Sequence, residues 1–411
     1  MNFGLFLAHR MRRQSIDKSS ASSRIIKIAI TAIAVGMVMM IVALSTSLGL
    51  QHEIKKKIIV FSGQLHIAPF ENNNSKVSTQ AIRLSELNLN AWNDPEEIDH
   101  HQATASKAAL VKSITDFEGL IVKGVGSEYR WNNLDTYLVL GRYPITNQNL
   151  NNEVLLSETI ANRLQINVGD KITAYFQSKT SSTSPNTRYF KVVGIYETGF
   201  QDFDSSYLFA DIRHIQRINK WSSEEVGGIE VFLKEGVDLT QKNEEIYNQL
   251  PPQIDSITVD EMFPGLFEWV SLFDFNVAII LILMLLVGTL NMATALLVLI
   301  LERSKMIGLL KSMGARNKLI QQLFLWNAFY IIIKGIFIGN FIGLVLVFGQ
   351  EKFGWIRLDP MIYYVSEVPV LLSFSNIFFL NLGIIITCTM LLYFPSLVVT
   401  KVDPTKVMRV Q

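Results

Sequence analysis

Residues 277–301, VAIILILMLLVGTLNMATALLVLIL, contain no ionised side chain. At about 1.5 Å of rise per residue, a helix of this length crosses the roughly 30 Å apolar layer of a bilayer. Backbone amides have no water to bond to in that layer, so a chain with such a run folds as a helical membrane protein. Three further segments are similarly apolar, at residues 25–49, 323–348 and 370–392, the first holding Lys27 and the second Lys334. One span therefore precedes a long polar insert, and three closely spaced spans follow it. The predicted fold class is an α-helical membrane protein with four transmembrane helices, one plus three, and a large α+β extracytoplasmic domain.

The predicted divisions are residues 1–24 as a cytoplasmic interfacial helix, 25–50 as the first span, 51–270 as the outer domain, and 271–411 as the last three spans with a short tail. Phe3, Phe6, Leu7 and Arg10 recur at near-helical spacing, the pattern of a helix lying in the membrane interface. The first apolar run is longer than a signal-peptide core and no small-residue cleavage site follows it, so it reads as an uncleaved span. Cytoplasmic flanks are enriched in Lys and Arg. Arg10, Arg12, Arg13, Lys18 and Arg24 precede the first span, five basic residues occupy the 302–322 loop, and Lys401, Lys406 and Arg409 end the chain. Both termini are therefore placed inside and the insert outside. Lys55, Lys56 and Lys57, just past the first span, run against this rule. The expected location is the bacterial inner membrane with the insert in the periplasm.

Within the insert, KITAYF (171–176) and YFKVVGIY (189–196) alternate with period two and read as strands, while SETIANRLQIN (157–167) reads as a helix opened by Ser157. The polar stretches 71–108 and 178–187 read as loops, the second as a protruding hairpin tip. In the third span, Gly335, Gly339 and Gly343 lie four residues apart and put three hydrogens along one helical face, which predicts close packing on another helix. Lys334 sits beside that face.

Signals for catalysis are weak. No G-x-x-x-x-G-K-[ST] loop occurs, so this chain cannot itself be the ATPase of a transporter, and no enzyme activity is expected. The single cysteine, Cys388, falls in the last span and excludes a disulfide framework or a thiolate metal site. His100 and His101 read as solvated loop residues, Gly124 and Gly126 as a turn, and Glu224 and Glu225 as exposed acids without partners. No bound metal, directly held cofactor or nucleic-acid partner is expected. The loop between the second and third spans is more informative. Met306, Ile307, Leu309, Leu310 and Met313 form an apolar surface over two turns of a short helix at about 303–316, Gly314 ends it, and Lys311 adds charge.

The segment MIGLLKSMGARNKLI (306–320) resembles the signature of the FtsX-like permease family. Met306 stands where that family carries an acidic residue, whereas Ile307, Leu309, Leu310, Lys311, Gly314 and Ala315 match. VVGIYETGFQDFDSSYLFADI (192–212), LDPMIYYVSEVPV (358–370) and the ending YFPSLVVTKVDPTKVMRV are similar to permeases of the lipoprotein-releasing LolC/LolE type, so the likeness covers nearly the whole chain. It implies that 303–316 is a coupling helix seated on cytoplasmic ABC ATPase subunits, which would supply ATP and Mg. It also implies a second permease subunit, in a homodimer or heterodimer, a lipoprotein substrate drawn from the membrane lipid, and a periplasmic lipoprotein chaperone. The chaperone-docking hairpin would fall at Ser178–Thr187, including Ser184 and Pro185. The acyl chains would occupy a cavity between subunits, to which the pliable Met37, Met39, Met40 and Met284 are assigned. The alternatives are an FtsX-like signalling scaffold and a MacB-like efflux component.

Overall fold

The computed structural model describes residues 21–73, 75–89, 94–114, 116–147, 149–177 and 185–398 of the 411-residue chain. The interfacial helix expected at the N-terminus lies outside them as far as residue 20, as do the tail residues Lys401, Lys406 and Arg409. Among the described residues, eight α-helices have seven residues or more. In chain order they are α1 (Ala21–Ser62), α2 (Glu158–Leu164), α3 (Ile212–Asn219), α4 (Leu239–Tyr247), α5 (Pro264–Glu302), α6 (Ser304–Ser312), α7 (Asn317–Phe353) and α8 (Phe374–Ser396). The chain divides into a helical unit (Met1–His52, Val270–Arg357, Glu367–Gln411) and an outer unit (Glu53–Trp269, Leu358–Ser366). The sequence reading did not place Leu358–Ser366, which link the last two spans, in the outer unit.

Among the described residues four helices, α1, α5, α7 and α8, are long and apolar enough to cross a membrane. Two of them extend well past their apolar cores. α1 continues unbroken to Ser62, because HEIKKKIIVF holds no proline and its apolar members Ile54, Ile58 and Phe61 are buried. It stops at Gly63, whose φ of +70° suits only a residue without a Cβ, and the Gly63 amide caps the Ile59 carbonyl at 2.8 Å. α5 begins at Pro264, the position at which proline's fixed φ favours a first turn.

The helical unit packs around the glycine face of α7. A Cβ on Gly335 would meet Ile33 at 2.7 Å, one on Gly339 would meet Met37 Cβ at 2.5 Å, and one on Gly343 would meet Ile41 at 3.1 Å. Each glycine thus receives a side chain from successive turns of α1. Polar pairs add direction where lipid offers no hydrophobic drive for association. Asn340 on α7 and Asn381 on α8 exchange amide hydrogen bonds of 2.7 and 3.2 Å, and Gln321 donates to the Ser396 hydroxyl at 2.7 Å.

The outer unit is an α+β fold with twelve strands among the described residues: β1 (Leu65–Pro69), β2 (Ile82–Arg83), β3 (Ile98–Lys112), β4 (Phe117–Val125), β5 (Leu138–Gly141), β6 (Glu153–Ser157), β7 (Lys171–Phe176), β8 (Asn186–Tyr196), β9 (Tyr207–Asp211), β10 (Glu225–Val226), β11 (Gly228–Leu233) and β12 (Ile254–Thr258). Ten strands form one sheet in the order β12-β1-β11-β3-β4-β9-β6-β8-β5, and β7 bridges β3 and β8. The pairings β3-β4-β9-β6-β8-β7-β3 therefore close on themselves. The fifteen-residue β3 makes this possible, since its N-terminal half pairs with β11 and its C-terminal half with β4 on one edge and β7 on the other. The core is apolar, built from residues such as Val122, Leu156, Phe176 and Leu208, and is capped by Ile212, Ile215 and Ile218 of α3.

Several expectations for the insert change. Residues 98–108 are strand rather than loop, and His100 is buried, stacked on Phe232 at 4.1 Å. Gly124 lies within β4, where a Cβ would strike the Ile212 backbone at 2.7 Å, so its role is close approach of α3 rather than a turn. Glu225 pairs with Arg83 at 3.2 Å.

Candidate functional site

α6 is the short helix between the second and third spans, and its apolar side chains point two ways. Ile307 is fully buried in the helical core, and Leu310 and Ala315 pack against it. Leu309 and Met313 are 57% and 76% exposed, and Lys305 and Ser312 are exposed beside them. Positions 305, 309, 312 and 313 fall on one helical face. The apolar surface expected as one patch is thus an anchor (Ile307, Leu310, Ala315) and an outward face (Lys305, Leu309, Met313), with Met306 half-buried between them. Gly314 takes φ +85° with open space around it and turns the chain into α7.

Of the methionines, Met37 and Met40 are buried in α1's packing against its neighbours, Met284 is partly buried against the same core, and Met39 is 47% exposed. Met37 fills the notch at Gly339 and does not face open space. Ser178 and Ser184 of the expected docking hairpin lie outside the described residues. Pro185 is exposed, and Thr187 lies opposite Tyr175 in the β7-β8 pair.

A cleft of about 1040 Å³ opens in the outer unit. Its floor is one face of the sheet. His66, Glu230 and Gln102 stand directly opposite one another across β1, β11 and β3, and Ser106, Lys123 and Phe209 do so across β3, β4 and β9. Lys123 and Glu230 form an ion pair of 2.6 Å with side chains only 7% and 5% exposed. The Lys123 ammonium also donates to the Phe61 carbonyl in the last turn of α1, and Gln102 donates to the second Glu230 oxygen at 2.9 Å. Both charges are thereby satisfied, as burial requires. Burial pushes the His66 imidazole below its ordinary pKa, so the ring is neutral at neutral pH.

Aromatic residues form the rest of the wall. Phe61 stacks on Phe203 at 4.8 Å and lies within 6 Å of Tyr196 and Phe209. Tyr364, with φ +61°, packs on Phe200 at 4.7 Å and on Trp269 at 5.7 Å. Beneath them the buried Asp204 carboxylate accepts from the Thr198 amide and hydroxyl and from the Gly199 amide. Burial raises its pKa, partly offset by those hydrogen bonds.

The sequence marked Lys57 only as an exception to the basic-flank rule, and Lys123, Glu230 and Tyr364 were not singled out. A signal existed for two of them. Lys123 interrupts LIVKGV and Glu230 interrupts GIEVFL, single charges in otherwise apolar strands, and such charges stay buried only when paired.

Comparison with known proteins places these features. Residues 28–248, more than half the chain, match the MacB-like periplasmic core domain, and residues 278–404 match the FtsX-like permease C-terminal region. The chain is 21% identical to the lipoprotein-releasing system transmembrane protein LolE of Haemophilus influenzae, over 99% of both chains. It is 21% identical to the corresponding LolC of Neisseria meningitidis serogroup B, over 94% of both. The periplasmic region of MacB from Actinobacillus actinomycetemcomitans aligns with 49% of this chain and 92% of that one, at 16% identity and a TM-score of 0.35. This protein therefore belongs to the FtsX-like permease family of ABC transporters, as an inner-membrane permease with a MacB-like periplasmic core domain.

Proposed function

We propose that this chain is the permease subunit of a lipoprotein-releasing transporter, in which ATP hydrolysis by cytoplasmic partners does mechanical work on the periplasmic side. The observation that carries the reading is the likeness to lipoprotein-releasing permeases along essentially the whole chain, outer unit included. Each methylene of an acyl chain moved from lipid to water costs about 0.8 kcal/mol, so extraction needs both external work and a receiving carrier. The sequence holds no G-x-x-x-x-G-K-[ST] phosphate-cradling loop, so in this reading the work enters from another polypeptide.

The outward face of α6 is the entry point in this reading. Leu309 and Met313 are exposed apolar side chains beside Lys305, while Ile307 and Leu310 tie the helix to the core, so a push on one face is delivered to α5 and α7. ATP and Mg belong to the partner. A second permease subunit completes the lipid site, with Met39 the most outward of the methionines assigned to it. The β7-β8 hairpin is the place for a chaperone.

Depleting the protein tests the substrate. Acylated lipoproteins should accumulate in the inner membrane, and normal sorting would return the chain to the efflux or signalling readings. Leu309→Asp tests the coupling. This variant should fold, because Leu309 is exposed, yet lose ATPase co-purification; an intact complex would remove α6 from its role.

A further inference from the structure

Lys57 lies near the outer end of α1, inside the outer unit, and is half-buried. It donates to the Thr198 carbonyl at 2.6 Å and to the Tyr364 carbonyl at 2.7 Å. Both acceptors are main chain, from segments far apart in sequence. Thr198 follows β8 and is itself fixed by Asp204. Tyr364 belongs to Leu358–Ser366, the link between α7 and α8, and its left-handed backbone is one that a bulky residue adopts only when its surroundings impose it. Its ring rests on Phe200 and on Trp269 in the first turns of α5. The end of α1, the start of α5 and the α7-α8 link thus meet in one knot.

The charge has a cost that apolar packing would avoid. A lysine just outside a span opposes the usual cytoplasmic bias of basic residues, and burying an ammonium forfeits hydration. Two charge-assisted bonds to carbonyls of different segments resist sliding in a way that apolar contacts do not.

We propose that Lys57 is a mechanical latch, a positioning residue that joins the outer ends of the membrane helices so that their displacement moves the periplasmic domain as one body. The proposal rests on the permease reading above and adds the residue through which force passes. In it, loss of the latch lets the helices move without the domain, so ATP is hydrolysed without release.

The test uses Lys57→Met in the full complex, co-purified with its native ATP-hydrolysing partner and reconstituted in proteoliposomes with an acylated lipoprotein. Hydrolysis should stay within about twofold of wild type, release per ATP should fall at least about tenfold, and Lys57→Arg, which keeps two donors, should restore most of it. Hydrogen exchange across residues 358–366 should speed up in Lys57→Met even without substrate. If exchange there or release per ATP is unchanged, Lys57 is no latch. Wild-type complex that releases no lipoprotein would instead overturn the permease reading, leaving the exchange result to judge the latch alone. Where Lys57→Met yields no folded complex, Lys57→Gln, which keeps an uncharged and therefore weaker amide donor, should show the same losses to a smaller degree, and wild-type behaviour on both readouts would overturn the proposal.

Discussion

At the scale of single residues, the outer unit is organised by charges that would be ruinous if left alone. Lys123 and Glu230 are both almost fully buried, and each has a further hydrogen-bond partner, the Phe61 carbonyl for Lys123 and the Gln102 amide for Glu230. Removing one member of such a pair strands the other, at a cost of about 3–5 kcal/mol, whereas replacing both with apolar residues of similar volume is often near neutral. Glu230→Leu should therefore lower the unfolding temperature sharply, and Lys123→Met/Glu230→Leu should recover more than half of that loss. Thermal unfolding of the detergent-solubilised full chain, followed by near-ultraviolet circular dichroism, measures the cycle. A double variant no more stable than the Glu230→Leu single variant would mean that the pair is not the source of the effect.

At the scale of elements, what could be read from the sequence depended on whether an element's inward face is apolar. The four spans stand out by length and composition, and the strands at 171–176 and 189–196 and the helix after Ser157 follow their period. β3 does not. Its core-facing residues Ala103, Ala105 and Ala109 are small, and the alternate positions His100, Gln102, Thr104 and Ser106 are polar, with Thr104 and Ser106 lining the cleft, so in composition the strand resembles a loop. The cleft was hidden for the same reason, and Lys57 because a hydrogen bond to a distant main-chain carbonyl leaves no pattern in the chain. The glycine face of α7 was legible, as the spacing alone defines the groove. Gly339→Leu should therefore force α1 and α7 apart, costing about 1–3 kcal/mol as overpacked sites do. Gly288→Ala on α5 is the matched control, because a Cβ there meets nothing within 4 Å. Resistance to stepwise SDS unfolding should drop for the first variant only, and equal resistance would show that the helices do not depend on this contact.

At the scale of the whole molecule, the outer unit carries a pH dependence of predictable sign. His66, His100 and His214 all have pKa values lowered chiefly by burial. In the unfolded chain each binds a proton near its ordinary value of about 6.5, whereas the folded ring resists protonation to a lower pH. Between those two values the unfolded state holds more protons, so stability falls as pH falls through that window and is fully present above it. Asp204, whose pKa burial raises, acts with the opposite sign, in a window that begins at the ordinary carboxylate value. The periplasm exchanges small solutes with the surroundings, so a domain built this way is exposed to external acid. Moving from about pH 7.5 to about pH 5.5 should lower the unfolding temperature of the outer unit by several degrees. His66→Gln, which keeps a polar side chain opposite Glu230 but cannot titrate, should shrink that drop. An unfolding temperature that stays constant across this range in the wild-type chain would mean that the three imidazoles accept protons in place, and that their burial imposes no bias against the charged form.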